Sequence, residues 1–274
     1  MGWGDYLMTS GHIRNLKKQN PALQILIKKP FYQNIFYQGI FLNNPYVTNH
    51  DLLETKKPFL QLSPVKAGQK EKDGKYIVWS KESVAQIGDF FPQDFELLNA
   101  EKFYEKALQD WKLKNRKNPK GTIFIANYSK KEAIINNVKV QYEHAENRDW
   151  GPKNWINFFK KSSGDYLLIN TSETTQESIS EWVYTYKCNY REAYSLMLKC
   201  DIFLGNEGGL AHLWAVTRKK AIVLFGHWIS PLVTGYSFHI NLTVNKNNHC
   251  GSLTKCDLCR KFFDELEYEY VKYL

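Results

Sequence analysis

The sequence predicts an α/β protein built on parallel sheets, and three observations carry that expectation. Between Thr122 and Phe225, short apolar runs alternate with stretches of helical spacing. That is the pattern of crossover connections that cover both faces of a parallel sheet. Near the start, Leu23 to Ile27 is a continuous apolar run, suited to a strand buried on both sides. From 205 to 209 a glycine-rich turn joins a strand to a helix, and ligands of such sheets bind at these connections.

Residues 1–29 read as loop, helix and strand. The helix runs roughly from Thr9 to Gln19, with Ile13 and Leu16 inward and Lys17 and Lys18 at its end, where cations oppose the helix dipole. Pro21 stops it. Residues 30–75 have little periodicity, with turn signals at Asn43-Asn44-Pro45 and Lys66-Ala67-Gly68. Residues 99–114 read as a helix through Phe103, Ala107, Leu108 and Trp111. The basic stretch Lys112 to Gly121 holds Pro and Gly and is the best linker. It divides the chain near 118 into segments 1–118 and 119–274.

The second segment predicts strands at Thr122–Ala126, Val138–Tyr142, Tyr166–Asn170, Asp201–Leu204 and Ala221–Phe225. It predicts helices at Asn154–Lys161, Glu177–Tyr184, Arg191–Leu198 and Leu210–Val216, with a last helix from Lys261 to Tyr273. Cys188 and Cys200 sit among apolar neighbours and read as core.

Composition narrows the class. The chain has 274 residues, 43% hydrophobic and 24% charged, enough to bury a core and too apolar for a disordered chain. No apolar run approaches the roughly 18 residues of a membrane span. Met1-Gly2-Trp3-Gly4-Asp5 lacks the basic-then-apolar start of a signal peptide. Five cysteines, an odd number, fit a reducing compartment better than a disulfide scaffold. A cytoplasmic protein is the expectation. The net charge is +9. Residues 1–120 carry 19 Lys and Arg against 12 Asp and Glu, and the remainder 18 against 16. A basic first half suits an anionic membrane surface, a phosphorylated substrate or nucleic acid, or is simply a solvated lysine-rich face.

The segment CDIFLGNEGGLAHLWAVTRKKAIVLFG, Cys200 to Gly226, bears the most chemistry. Gly205, Gly208 and Gly209 permit close backbone approach to a ligand. The following helix offers free N–H groups and a positive dipole end to an anion. Glu207 lies in the turn and His212 one turn into the helix. Read alone, Glu207 is a helix cap and His212 a packing histidine.

This segment resembles the GNDSGPMHLAAALGKPVVALFG element of the ADP-heptose lipopolysaccharide heptosyltransferases, glycosyltransferase family 9. Two further segments agree in order. GWGDYLMTSGHIRNLKKQNPALQILI, Gly2 to Ile27, is similar to the family's opening GDVLLTTPALRALKRAYPDARIDVL. EHAENRDWGPKNWINFFKK, Glu143 to Lys161, is similar to its HPGAS…KRWP element. The three cover about a third of the chain. The resemblance implies a GT-B fold, two Rossmann-like lobes with parallel sheets, the C-terminal lobe holding the donor. It implies a sugar transfer, heptose-like, from a nucleotide-diphosphate donor, ADP-linked, to a lipopolysaccharide-type or other glycan acceptor, with no metal in the chemistry. Asp5 maps to the catalytic base and Lys153 to a donor-diphosphate contact. Glu207, Gly208, Gly209 and His212 map to the donor site, and Glu173 to a ribose-binding acid. Outside that resemblance, Asp5 is an N-cap or turn residue and Lys153 a solvated lysine.

The chain departs from the family in three ways. Glu207 stands where the family has Asp, and Gly208 where it has Ser or Thr. The family also places a strand before the Gly-Asp loop, so the N-terminal lobe is expected to lack its first strand. A protein at the inner face of a bacterial membrane, touching its anionic lipids, is compatible with the basic first half.

The cysteines add a separate signal. His249-Cys250 and Cys256-x-x-Cys259 have metal-ligand spacing. Zinc or iron held by Cys250, Cys256, Cys259 and His249 would be structural; a metal-free cysteine loop is the alternative. Two rival functions stand beside glycosyl transfer. One is a basic nucleic-acid-binding module with a Cys-rich metal loop, whose affinity would fall steeply with salt. The other is a sugar-nucleotide-binding pseudoenzyme.

Overall fold

The structure is a computed structural model. It describes residues 3–28, 39–42, 44–62, 92–127, 132–135, 138–141, 147–173, 179–243, 249–251, 256–259, 261 and 274.

The first half opens with α1 (Trp3–Gln19) and β1 (Gln24–Ile27). β1 pairs in parallel with β2 (Phe59–Leu62), Gln24 opposite Phe59. The Gln24 amide ties the approach to β2, donating to the Glu54 carbonyl at 2.8 Å and accepting from the Glu54 N–H at 2.8 Å. α1 starts earlier than its sequence suggests: Trp3, Gly4 and Asp5, read as loop, form its first turn.

α2 (Asp94–Asn115) follows, longer than expected at its N-terminus. Glu96 closes its capping box through the Gln93 N–H. α2 packs on the sheet of the second half. The Trp111 indole donates to the Ser163 carbonyl at 2.9 Å, Tyr104 meets the Thr122 hydroxyl at 3.1 Å, and buried Glu96 pairs with Arg191 at 2.9 Å.

The second half is a six-stranded parallel sheet. Its strands are β3 (Thr122–Ala126), β6 (Leu167–Ser172), β7 (Tyr184–Lys187), β8 (Ile202–Asn206), β9 (Ala221–Leu224) and β10 (Ile240–Leu242). The order is β10-β9-β8-β3-β6-β7, the doubly wound Rossmann order, whose direction of winding reverses between β3 and β8. A separate antiparallel hairpin joins β4 (Glu132–Ile135) to β5 (Val138–Gln141). The expected strand at 138 therefore exists but lies outside the main sheet.

Strand alternation divides the core in two. Ile123, Ile125, Leu168, Leu204, Ile222 and Leu224 face one layer with Trp155, Phe158 and Phe159 of α3 (Pro152–Ser162). Phe124, Leu167, Ile169, Phe203 and Val223 face the other. That second layer is completed by α1, α2, α4 (Tyr190–Met197) and α5 (Gly209–Val216). Both faces are buried, which is why the strands read as unbroken apolar runs.

The expected helix at Glu177–Tyr184, whose first two residues lie outside the described ones, is corrected over the rest. Residues 179–183 are bends and turns, and Tyr184 opens β7. Val183 and Thr185 are buried between more exposed neighbours, a period of two that favours a strand. Cys188 and Cys200 are buried, as expected. The last helix, Lys261 to Tyr273, falls almost wholly outside the described residues. Leu274 itself accepts a hydrogen bond from the Tyr166 hydroxyl at 3.2 Å.

Candidate functional site

The candidate site lies at the carboxyl end of β8, beside the point where the sheet reverses its winding. Gly205 serves the sheet itself, because a Cβ there would lie 2.5 Å from the Ala126 Cβ on β3. Close packing of β8 on β3 therefore requires glycine here. Beyond it, Glu207 turns inward and its N–H bonds the Leu224 carbonyl at 3.1 Å.

Glu207 is buried and ion-paired. Arg148 Nη2 donates to its carboxylate at 2.8 Å and to its main-chain carbonyl at 3.0 Å. The same guanidinium lies 4.9 Å over the Trp228 ring, a cation–π arrangement. A Cβ on Gly208 would come within 3.3 Å of Arg148 Nη2. The glycine thus gives the arginine room.

His212 stands in the first turns of α5 with its ring enclosed. Its Nδ1 lies 2.7 Å from the Tyr236 hydroxyl, and its Nε2 lies 3.8 Å from Glu207 Oε1. Burial pushes its pKa below the ordinary histidine value, against the opposing pull of Glu207 and Asp5, and Arg148 adds to the lowering. His212 is therefore neutral at pH 7. Burial and the Glu207 charge hold the Tyr236 phenol well above its ordinary range.

Asp5 reaches this cluster from α1. Gly4 lies against His212, so closely that a Cβ there would sit 2.5 Å from the ring Cδ2. A Cβ on Gly209 would lie 3.2 Å from the Trp3 Cβ. The Trp3 ring stacks on Tyr190 at 3.9 Å and 9°, and the Tyr190 hydroxyl donates to the Gly209 carbonyl at 2.8 Å. The start of α1 is thus seated on the start of α5, and Asp5 is close enough for its charge to act on His212.

The other expected residues are placed differently. Lys153 stands exposed in the first turn of α3 and makes none of these bonds. Gly151 caps that helix at φ 96°, a left-handed value that favours glycine. Glu173 is exposed just past β6, and its charge is felt at Cys188 and Tyr190. Sequence reasoning missed Arg148, Trp228, Tyr190 and Tyr236. Arg148 lies within the matched segment, five residues before Lys153. Tyr236 follows His212 by 24 residues with no local spacing to link them.

The Cys250, Cys256 and Cys259 sulfurs lie within 4.8 Å of one another, with Cys250 and Cys259 3.3 Å apart. Three converging thiols fit three positions of a tetrahedral zinc or iron site. His249 is not in that group; its ring lies beside His227 at 6.0 Å. The cluster is tied to the site by its backbone. The Cys250 N–H bonds the His227 carbonyl at 2.8 Å, Gly251 bonds Trp228 at 3.1 Å, and Cys256 bonds the Asn147 side chain at 2.8 Å.

No protein-family model and no curated protein matches the chain in sequence. Solved structures do match. A glycosyl transferase family 9 structure from Veillonella parvula DSM 2008 aligns with TM-score 0.54 at 11% identity, over 88% of this chain and 82% of that one. Escherichia coli heptosyltransferase WaaC with ADP aligns with TM-score 0.43 at 10% identity, over 97% and 95%. E. coli ADP-heptose lps heptosyltransferase II aligns with TM-score 0.40 at 12% identity, over 67% and 54%. The Veillonella match shows the fold: mixed α/β with parallel sheets, of the GT-B glycosyltransferase type. Among the described residues, no helix is long and apolar enough to cross a membrane.

Proposed function

We propose that this chain is a metal-independent glycosyltransferase moving a sugar, heptose-like, from an ADP-linked donor to a lipopolysaccharide-type or other glycan acceptor. The observation that supports this reading is the packing of Gly4, the neighbour of Asp5 on α1, against the ring of His212, which lies beside Glu207 and its partner Arg148. On this reading Asp5, one acid from the first half, would serve an anion-binding constellation from the second.

The chemistry follows from residue types. The acceptor hydroxyl oxygen attacks the anomeric carbon, and its proton passes to the Asp5 carboxylate. The anomeric C–O bond to the diphosphate breaks, and its electron pair stays on the departing oxygen. The new charge is met by the N–H groups opening α5, the Arg148 guanidinium and a ring N–H of His212. Lys153 would add a second cation, as the sequence resemblance implies. Glu207 orients Arg148 and would contact the donor sugar, while Glu173 would serve the ribose. The choice of ADP rests on the sequence resemblance. Glycolipid acceptors at the inner face of a bacterial membrane suit the basic first half. Zinc or iron on Cys250, Cys256 and Cys259 would act structurally.

The test begins with thermal unfolding in ADP, UDP, GDP and CMP. Ligand at about 100 times its Kd should add about 2.7 kcal/mol of stability. A rise with ADP alone supports the donor class; no rise with any nucleotide sinks it. Nucleotide release from ADP-heptose in the presence of acceptor should then disappear in Asp5→Asn while ADP binding persists. ADP binding with no release in the unaltered chain would favour the pseudoenzyme. Salt-sensitive binding to RNA or DNA, unaffected by Asp5→Asn, would favour the nucleic-acid module.

A further inference from the structure

We infer that Tyr236 is a positioning residue that fixes His212 as the Nε2–H tautomer, so that the buried ring presents one neutral N–H donor toward Glu207 and the first turn of α1.

The Tyr236 hydroxyl and His212 Nδ1 are 2.7 Å apart, so one of them supplies the bridging proton. The phenol keeps its proton, because burial and the nearby Glu207 charge oppose its ionisation. It is the natural donor, and imidazole nitrogen the better acceptor. The opposite arrangement would put the proton on Nδ1 and aim the Nε2 lone pair at the Glu207 carboxylate 3.8 Å away. With Nε2 protonated, the ring presents its positive edge to that anion and to Asp5. At 3.8 Å the Nε2–H is not committed to Glu207, since a hydrogen bond needs about 3 Å.

Tyr236 is held from several sides. Its carbonyl accepts from Asn241 Nδ2 at 2.9 Å and from the His239 N–H at 3.1 Å. Its ring is flanked by Phe238 at 5.5 Å and His239 at 5.2 Å. A support this fixed sets the orientation and the tautomer of the ring it touches. The use of the resulting N–H rests on the donor-site reading above: it would bond an oxygen of a nucleotide diphosphate.

The experiment is NMR on the full chain labelled with 15N-histidine, correlating ring nitrogens with ring protons. His212→Gln assigns the signals by their loss. At pH 7 the unaltered chain should show His212 as Nε2–H, and Tyr236→Phe should replace that signature with a mixture of tautomers. An Nδ1–H pattern in the unaltered chain overturns the proposal, as does an unchanged pattern in Tyr236→Phe. The first of these readouts decides even if that variant fails to fold. ADP is the ligand probe. A moved Nε2 signal supports the assigned use of the donor, and ADP binding without movement overturns that use. Failure to bind ADP would overturn the donor-site reading and leave the tautomer result standing.

Discussion

One nitrogen of Arg148, Nη2, donates to both the carboxylate and the main-chain carbonyl of Glu207. The arginine thereby holds the turn before α5 as well as neutralising its acid. Arg148→Ala should leave a buried carboxylate without its cation. Loss of one partner of a buried pair costs about 3–5 kcal/mol. Arg148 is 25% exposed, so about 2 kcal/mol is expected. Urea unfolding measures this, and ADP titration should show weaker binding in the same variant. A change within about 0.5 kcal/mol, the range of ordinary surface substitutions, would mean the pair is solvated.

Gly4→Ala should disturb the site without touching charge. Its new methyl would lie 2.5 Å from the His212 ring, and overpacking typically costs about 1–3 kcal/mol. Gly164→Ala is the control, since nothing lies within 4 Å of a Cβ there. Denaturation midpoints of the two variants should differ clearly. Equal midpoints would show that α1 is not seated on α5.

Glu96 and Arg191 pair at 2.9 Å with both side chains buried, joining α2 to α4. Glu96→Ala should cost about 3–5 kcal/mol because it takes the carboxylate from a buried guanidinium. The capping box of α2 goes with it. Circular dichroism during urea unfolding reports both losses.

Stability should fall as the solution is acidified from about pH 6.5 to about pH 4. Burial, with smaller help from His212 and Arg218, lowers the His239 pKa to about 4. The unfolded histidine takes up its proton first, so acid favours the unfolded chain across that window and adds no further loss below it. The full effect is about 3 kcal/mol at 1.36 kcal/mol per pH unit. His239→Gln should flatten the profile in part, since burial also lowers the His212 and His227 values. An unchanged slope in urea unfolding between pH 4 and 7 would remove His239 from the account.

If the three thiols hold metal, the purified chain should carry about one equivalent of zinc or iron by elemental analysis. Chelation should lower the Tm and weaken ADP binding together, because the cluster's backbone grips the neighbours of Arg148 and the loop bearing Trp228. Retention of full ADP affinity after metal loss would separate the two sites.

Much of the second half is legible because its signals are local. Gly208 and Gly209 mark the β8–α5 connection, and apolar runs mark strands buried on both faces. The early start of α1 is not. Thr9 and Ser10 read as a helix start, yet in place their hydroxyls bond the carbonyls of Asp5 and Leu7 one turn earlier, and packing against α5 extends the helix back to Trp3. The β7 error has a similar origin. Aromatic and apolar residues around Val183 fit helical spacing about as well as alternation, and only pairing with β6 decides between them. Arg148 and Tyr236 join the site across 59 and 24 residues of chain, and no spacing rule reaches that far.

The Trp3–Tyr190 stack bears on the timing of turnover. It covers Gly209, the first residue of α5, where a departing diphosphate would rest. On the donor-site reading, a spent nucleotide would leave only after the ring lifts. Aromatic pairs of this kind contribute about 0.5–1.5 kcal/mol, so Trp3→Ala should quicken nucleotide dissociation by about 2- to 10-fold. On the same reading, that one ring would also set the pace at which the next donor enters.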